Sequence, residues 1–197
     1  MTPAPHPAPD TVALTPLFSA AAIRRRIHAM AESLAADLSH KELLCVAVLK
    51  GSFIFVADLA RELAGRDVHL TIDFIAMAGY DSGTTHGGVA RLKHDLSLPV
   101  AGRHVLLVDD IVDTGLTLQA VSKLLIERGA ASIRTCVLLD KPSRRRVPIV
   151  ADAVGFTVDD VFVVGYGLDY DSRYRHLPYL AALTLTPKPA DGTPHAR

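Results

Sequence analysis

The sequence has little cysteine: only Cys45 and Cys136 occur in a chain of 197 residues. Both lie inside apolar segments, where a thiol behaves as a small hydrophobic group, so we expect two buried, free thiols. A disulfide framework or a cysteine metal site needs more cysteines, or histidines at set spacings beside them. The nine histidines are scattered along the chain without such spacing. Neither kind of site is therefore expected.

Net charge is also absent, because 21 lysine and arginine residues balance 21 aspartate and glutamate residues. Such a protein has no overall attraction to nucleic acid or to an anionic membrane surface. No run of about 18 apolar residues occurs, so no membrane span is expected. The N-terminus lacks the basic segment and apolar core of a secretory signal. We expect a cytoplasmic protein that binds neither nucleic acid nor membrane.

The length and the apolar content, 49% of the residues, suit one domain with a sizeable core. Residues 1–16 contain five prolines and predict a disordered lead. The domain is expected over residues 17–186, and a disordered tail over residues 187–197.

Apolar residues spaced three or four apart predict a helix that Ser19 caps and that reaches Leu38. A second helix is expected after Ser52, again with the serine as its cap. Continuous apolar runs predict strands that are buried on both faces of a parallel sheet. The predicted strands are Leu43–Leu49, Val68–Ala76, Arg91–Leu96, His104–Val108 and Ile133–Leu139.

Two carboxylates, Asp109 and Asp110, directly follow the apolar run Val105–Val108. Unpaired charge is costly to bury, so both groups cannot be buried and ionised. We therefore expect the strand to end there, at a solvated edge with polar partners. That edge is a candidate site.

The next segment, residues 113–117, reads Asp-Thr-Gly-Leu-Thr and directly precedes a helical pattern. A glycine-containing turn at a helix N-terminus presents free N–H groups and the positive end of the helix dipole, which suit a phosphate. Carboxylates beside a phosphate would repel it unless they face sugar hydroxyls, a proton to be removed or a divalent cation. The pattern indicates a phosphorylated sugar with a metal. Ordinary loop and cap chemistry in an α/β protein is the alternative.

Other polar residues follow the predicted strands in the same way. Lys50-Gly51 come after Leu43–Leu49, and Lys141 comes after Ile133–Leu139. Ligands of open α/β sheets bind beyond the carboxyl ends of the strands, so these residues are expected at the same crevice as Asp109. Plain solvation is the alternative for Lys141. The basic loop Arg144–Arg146 fits either pyrophosphate contact or solvation.

Residues 79–88 contain four glycines and break all periodicity. An exposed hairpin tip is one interpretation. A lid that closes over a site and excludes water is the other.

The stretch 105–117 combines four apolar residues, two acids, two apolar residues and Asp-Thr-Gly-x-Thr. It resembles the phosphoribosyl pyrophosphate (PRPP) signature of type I phosphoribosyltransferases, above all their hypoxanthine/guanine branch. The block VVGYGLDY at 163–170 is similar to a second block of that family. The resemblance covers about Leu43 to Leu180. It implies an α/β fold with a central, mostly parallel sheet flanked by helices, and a small hood made from the N- and C-terminal segments.

The resemblance also implies roles for the first block. Asp109 and Asp110 would bind the ribose hydroxyls and are possible magnesium ligands, although the family more often has glutamate at the position of Asp109. Asp113 would act as the catalytic base toward the purine. The 5′-phosphate would be held by the turn residues Thr114, Gly115, Leu116 and Thr117.

For the leaving group, the resemblance implies that Lys50, Gly51 and Arg175 contact pyrophosphate. In the family the Lys-Gly pair does so through backbone groups, often with a non-proline cis peptide bond. Asp169 would be a ligand of Mg²⁺. The family begins its lid with Ser-Tyr, and the matching residues here are Gly79 and Tyr80.

For the base, the resemblance implies that Lys141 donates to the 6-oxo group of a purine. This choice rejects adenine, whose amino group offers no acceptor. Phe162 would offer a stacking face, and Val163 backbone groups to the edge of the base. On composition alone, Phe162 is merely the core phenylalanine of a strand.

The activity implied is that of a hypoxanthine (guanine) phosphoribosyltransferase of purine salvage, which uses Mg²⁺ and forms a homodimer or a homotetramer. One alternative is a PRPP-sensing regulator that kept the fold and binds nucleic acid through a basic face. Zero net charge and the retained Lys141, Phe162 and Asp169 count against it. Within enzymes, a xanthine or orotate phosphoribosyltransferase is the nearer competitor. Lys141 and Phe162 favour a 6-oxopurine, but hypoxanthine and guanine differ only at C2 of the base.

Overall fold

The computed structural model describes residues 11–39, 41–77 and 92–186. The predicted lid residues Gly79 and Tyr80, the predicted tail over residues 187–197 and the first ten residues of the predicted lead lie outside these ranges. The elements in chain order are β1 (Thr11–Phe18), α1 (Ala20–Leu38), β2 (Leu43–Leu49), α2 (Phe53–Ala64), β3 (Leu70–Met77), β4 (Leu92–His94), β5 (His104–Val112), α3 (Leu116–Glu127), β6 (Ser132–Asp140), a 3₁₀ turn (Pro142–Arg144), β7 (Ala153–Thr157), β8 (Val163–Val164) and β9 (Leu180–Thr186).

Six strands form the central sheet in the order β4-β3-β2-β5-β6-β7. Only β4 runs antiparallel to its neighbour among these strands, so the prediction of a mostly parallel sheet is confirmed. Three of the four inner strands, β2, β5 and β6, are buried along almost their whole apolar length. Burial on both faces explains why these segments are continuous apolar runs instead of alternating ones.

Helices cover both faces of the sheet. The apolar sides of α1 and α2 pack in one core with Cys45, Leu106 and Cys136, while α3 packs in a second core with Leu44 and Leu107. Neighbouring strand residues thus face opposite cores, as the pleat requires. Both cysteines are buried and free, which confirms that prediction.

The two predicted serine caps differ in outcome. The hydroxyl oxygen of Ser19 accepts a hydrogen bond from the amide of Ala22 at 3.3 Å, so Ser19 caps α1 as expected. Ser52 precedes α2, but its side chain makes no cap hydrogen bond. The prediction is wrong for Ser52 because its buried hydroxyl donates to the carbonyl of Val48 instead.

A small second sheet has the order β1-β9-β8 and is antiparallel. It joins segments from near the two ends of the chain and is the hood expected from the resemblance. The strand β1 begins at Thr11, so the prediction of disorder over 1–16 is wrong for residues 11–16. Pro16 is compatible with this strand because β1 is at the sheet edge and its register shifts between Pro16 and Phe18.

Within the three described ranges, no helix combines the length and the apolar character that a membrane span requires.

Candidate active site

The carboxyl ends of the inner parallel strands meet at one edge of the central sheet, where a cavity of about 800 Å³ opens. Residues after β2, within and after β5, and in the segment between β8 and β9 form its wall. The predicted site residues that line it are Lys50, Gly51, Asp109, Asp110, Asp113, Thr114, Gly115, Thr117, Asp169 and Arg175.

A second cavity of about 420 Å³ adjoins the first. Its lining includes Lys141, Phe162 and Val163, the three residues predicted to bind a base. Asp110, Asp113 and Asp169 line both cavities. The site therefore has two lobes, and the carboxylates lie where the lobes meet.

The turn before α3 has the geometry of a phosphate site. Gly115 has φ +83°, a conformation that L side chains rarely adopt, and a Cβ there would meet Ile149 Cγ2 at 2.6 Å. Thr114 Oγ1 accepts a long hydrogen bond from the amide of Leu116 at 3.4 Å. The first-turn amides of a helix have no carbonyl partner within the helix and face outward from its positive end. Thr114, Gly115 and Thr117 line the cavity, whereas Leu116 does not.

The acidic pair lies inside β5, which continues to Val112. The prediction that the strand ends at Asp109 is therefore wrong, because the backbone keeps its parallel pairing to β6 past both carboxylates. Asp109 is only 5% exposed, and its Oδ1 accepts from the amide of Asp110 at 2.9 Å. The cost of burying charge is visible in the pKa values. Burial raises the pKa of Asp109 well above its ordinary value, helped by the charge of Asp110, and burial also raises the pKa of Asp110.

Gly51 lies directly against this pair. A Cβ at Gly51 would come within 1.5 Å of Asp110 Oδ2, so any side chain there would force the carboxylate or the turn to move. Gly167 approaches from the other side with φ +103°, and its Cβ would be 2.0 Å from the carbonyl oxygen of Gly51. The peptide bond between Leu49 and Lys50 is cis. The Lys50-Gly51 turn is thus enclosed between Asp110 and the segment that carries Asp169.

Asp169 and Arg175 form an ion pair at the wall of the larger cavity. Arg175 Nη2 lies 2.7 Å from Asp169 Oδ1, and Arg175 Nη1 donates to the carbonyl of Gly167 at 2.7 Å. The amide of Ser172 donates to Asp169 Oδ2 at 2.8 Å. Among the residues that the structure describes, no group of three or more histidine, cysteine, aspartate and glutamate side chains is arranged to hold a metal by itself.

The smaller cavity contains one buried cation and one half-exposed ring. Lys141 is 7% exposed and its ammonium donates to the carbonyl of Val161. Phe162 is 51% exposed, so its interpretation as a core phenylalanine is wrong. The edge-to-face contact of Phe162 with Tyr170, at 5.7 Å between ring centroids, keeps the ring in place beside the cavity.

Asp113 is held by the basic loop. Arg144 Nε donates to Asp113 Oδ1 at 3.2 Å, and Arg144 Nη1 lies 3.5 Å from Asp160 Oδ2. Arg145 donates to the backbone carbonyl of Asp113 at 2.9 Å and pairs with Asp140. Both arginines thus pair with carboxylates and fix the turn that carries Asp113.

A family model described as a phosphoribosyl transferase domain matches residues 15–171. The chain belongs to the phosphoribosyltransferase family.

Relatives and solved structures agree with this assignment. This chain is 45% identical over 147 residues to the hypoxanthine-guanine phosphoribosyltransferase of Streptococcus pneumoniae, and the match covers 75% of this chain and 80% of that protein. It is 44% identical over 147 residues to the hypoxanthine phosphoribosyltransferase of Salmonella typhimurium, and this match covers 75% of this chain and 81% of that protein. A structure of the Trypanosoma cruzi hypoxanthine phosphoribosyl transferase matches with a TM-score of 0.82 at 40% identity, covering 90% of this chain and 95% of that one.

All the predicted site residues within the described ranges line one or both of the two cavities, except Leu116, which lines neither. Sequence reasoning missed several lining residues. Met77 at the end of β3 and Lys93 and His94 on β4 line the larger cavity. The signal that could have found them is topological, because an antiparallel β4 returns from the same edge of the sheet at which β3 ends. In the smaller cavity, Asp160 is among the lining residues that were missed. Arg144 also lines this cavity, whereas the sequence offered it for pyrophosphate contact or solvation.

Proposed function

We propose that this phosphoribosyltransferase acts in purine salvage, transferring the 5-phosphoribosyl group of PRPP to N9 of hypoxanthine or guanine. The products are the nucleoside 5′-monophosphate and pyrophosphate. The observation that carries the proposal is the position of Asp113 on the wall shared by both cavities. One lobe offers a phosphate turn and an acidic pair, and the other offers an aromatic face and a buried ammonium group. Transfer of a sugar phosphate to a flat base needs both lobes and a proton acceptor between them.

The sugar phosphate binds in the larger lobe. The first-turn amides of α3 and the hydroxyls of Thr114 and Thr117 donate to the 5′-phosphate, and Gly115 allows its close approach. Asp109 and Asp110 accept hydrogen bonds from the ribose hydroxyls. These contacts place C1′ at the junction of the two lobes.

The pyrophosphate lies on the Lys50-Gly51 side of the same lobe. Asp169 and Asp110 would hold Mg²⁺, with Asp109 as a further candidate ligand. This donor set fits Mg²⁺, which proteins commonly bind through one or two carboxylates together with water and substrate phosphates. The bound ion would neutralise charge on the leaving pyrophosphate. Further hydrogen-bond donors to the pyrophosphate oxygens come from Lys50, Arg175 and the backbone of Gly51.

The base binds in the smaller lobe against Phe162, with Val163 backbone groups at its edge. Lys141 donates to the 6-oxo group, and adenine is rejected because it presents an amino group there.

In the transfer, the bond from C1′ to the pyrophosphate oxygen breaks and its electron pair leaves with pyrophosphate. Purine N9 forms the new bond to C1′, and the N7 proton passes to the Asp113 carboxylate. Arg144 holds Asp113 Oδ1, so we assign the proton to Oδ2.

The proposal is tested by pyrophosphate release from PRPP and Mg²⁺ with hypoxanthine, guanine, xanthine, adenine and orotate supplied separately. We expect turnover with hypoxanthine or guanine and none with adenine or orotate. Of the two relatives described above, one is named for both bases and the other for hypoxanthine alone, so the guanine arm decides the C2 preference. PRPP binding without turnover on any base would favour a PRPP sensor instead. Turnover with orotate or xanthine alone would replace the substrate assignment.

A homodimer or homotetramer and a cytoplasmic location stay predictions. Sedimentation equilibrium of the purified protein tests the first, and fractionation of the cells that produce it tests the second.

A further inference from the structure

The segment 165–175, between β8 and β9, supplies Asp169 and Arg175 to the larger cavity. Its backbone conformation is unusual. Four residues other than glycine have positive φ angles: Tyr166 at 48°, Asp171 at 50°, Ser172 at 62° and Tyr174 at 72°. Such conformations persist only where the surroundings enforce them. Contacts with the rest of the domain must therefore hold this segment in place.

One of these contacts reaches a different element. Tyr166 is 7% exposed, and its hydroxyl donates to Asp58 Oδ2 on α2. Asp58 also pairs with Arg61 on the same helix. Burial, strengthened by the hydrogen bond to Asp58, raises the pKa of the Tyr166 phenol, so the hydroxyl remains a donor at neutral pH.

This hydrogen bond connects two parts of the pyrophosphate half of the site. The helix α2 begins at Phe53, directly after the Lys50-Gly51 turn and Ser52. The residue after Tyr166 is Gly167, which lies against the carbonyl of Gly51 and accepts from Arg175 Nη1. The hydroxyl of Tyr166 thus fixes the segment that carries Asp169 and Arg175 to the helix that follows the turn.

We propose that Tyr166 and Asp58 are positioning residues for the pyrophosphate half of the site. Their hydrogen bond keeps Asp169 and Arg175 in register with Gly51 without touching the substrate. In the purine lobe, the ammonium group of Lys141 is held by the carbonyl of Val161, outside the segment 165–175, whereas Phe162 contacts Tyr170 within it. Loss of the Tyr166 hydroxyl should therefore weaken PRPP and magnesium-dependent binding more than binding of the base, because Lys141 keeps its contact. This inference rests on the proposed function for its kinetic readout.

The test compares Tyr166→Phe with Tyr174→Phe, which removes a hydroxyl from the same segment. A hydrogen bond to a charged partner corresponds to a change of about 10-fold or more in affinity. We expect Tyr166→Phe to raise the KM for PRPP about 10-fold and to raise the Mg²⁺ concentration at half-maximal activity. The KM for hypoxanthine should stay within about twofold of wild type. Tyr174→Phe should leave all three values unchanged.

Asp58 provides a second route to the same contact. Asp58→Ala removes the acceptor, and alanine is well tolerated in a helix. It should reproduce the effect of Tyr166→Phe, and the double variant should add little, since both changes remove one hydrogen bond. Asp58→Asn keeps an oxygen acceptor and should recover part of the PRPP affinity. Thermal unfolding of each variant separates a loss of stability from a loss of positioning.

Calorimetric titration with PRPP, and with pyrophosphate, at fixed MgCl₂ gives a readout that does not depend on turnover. Weaker binding of both by Tyr166→Phe and Asp58→Ala supports the inference. A lowered Tm with unchanged PRPP binding would assign the pair a purely structural role, and an equal rise in the KM for hypoxanthine would remove its selectivity. Failure of the wild-type protein to bind PRPP at all would refute the proposed function, and this inference with it.

Discussion

The ammonium group of Lys141 donates a hydrogen bond to the backbone carbonyl of Val161, the residue before Phe162. An ammonium group has three donors, so one held by Val161 orients the group and leaves others for a ligand. The contact joins Lys141, which we assign to the 6-oxo edge of the base, to the segment that carries Phe162, which we assign to the face of the base. The two groups proposed to recognise the base are therefore connected in its absence.

Lys141→Met tests this assignment, because the substitution keeps an unbranched side chain, one atom shorter, and removes the donor. Loss of a hydrogen bond from a charged group costs about 1.5–3 kcal/mol, so the KM for hypoxanthine should rise about 10- to 100-fold. The KM for PRPP should change little, because Lys141 lines only the smaller cavity. The control is Lys123→Met, an exposed residue on α3 that pairs with Glu127 at 3.8 Å. An unchanged KM for hypoxanthine in the Lys141 variant would contradict the assignment.

Asp113→Asn keeps the shape of the side chain and the hydrogen bond from Arg144 but cannot accept a proton as a carboxylate does. General base catalysis contributes about 10²- to 10⁴-fold, and we expect kcat to fall by a factor in this range. Steady-state kinetics should show the KM for PRPP within about threefold of wild type. Asp160→Asn changes the other carboxylate that pairs with Arg144 and should leave kcat within a few-fold. Equal loss of kcat and of PRPP affinity in the Asp113 variant would remove Asp113 from the role of base.

Gly51→Ala places a methyl group where Asp110 Oδ2 lies, since the Cβ would be 1.5 Å from that oxygen. The turn or the carboxylate must move, and a displacement of about 1 Å in a site can cost about 100-fold in rate. We expect kcat/KM for PRPP to fall by about that factor. Gly65→Ala is the matched control, because its Cβ meets nothing closer than 3.6 Å and its φ of −66° suits alanine. Normal kinetics of the Gly51 variant would contradict the close packing of the turn against Asp110.

The two thiols should be unreactive in the folded protein. Burial raises the pKa of the Cys45 thiol to about 12 and also raises the pKa of Cys136, and only the thiolate reacts. Iodoacetamide at pH 8 should label neither residue in the native protein and both in urea. Mass spectrometry of peptides after labelling measures this. Rapid labelling of Cys45 under native conditions would contradict its burial within the core.

The acidic pair should make stability depend on pH. Burial raises the pKa of Asp109 in the folded state, so the folded chain binds this proton more tightly than the unfolded chain does. The stabilisation from this proton is complete below the unfolded pKa of about 3.9 and is lost as pH rises through the folded pKa. In buffer with a chelator, Asp109→Asn should therefore gain free energy of unfolding relative to wild type as pH rises from 5 to 8. Urea denaturation at several pH values measures the difference, and a difference that is constant with pH would contradict the prediction.

Much of the fold was predictable because strands that are buried on both faces of a sheet are continuous apolar runs in the sequence. The limits of β2 match the apolar run Leu43–Leu49 at both ends. The continuation of β5 through Asp109 and Asp110 was not predictable from side-chain polarity. The backbone of these residues continues the parallel pairing with β6, and backbone pairing does not depend on the charge of the side chains. The strand β1 was not predicted because it contains Pro16, and proline is unusual in a strand. It is acceptable here because β1 is at the edge of the small sheet.

For the site, the rule that ligands meet the carboxyl ends of parallel strands placed Lys50, Gly51 and Lys141 at one crevice with the residues of β5. Pairwise partners could not be predicted in the same way. Arg144 with Asp113, and Tyr166 with Asp58, are contacts between residues far apart in the chain, and their formation depends on packing that local patterns do not encode.

The antiparallel pairing of β1 with β9 also bears on how the chain is made. In this pairing Thr11 lies opposite Thr186 and Phe18 opposite Leu180, so an early strand has one of the last as its partner. On the ribosome, β1 emerges before the other described strands and has no partner until β9 has followed it. The central sheet can form from strands that emerge close together, whereas the small sheet can form only once β9 is available. We therefore expect a nascent chain that stops before Leu180 to contain the central sheet and to leave β1 unpaired, a state accessible to chaperones and proteases until β9 emerges.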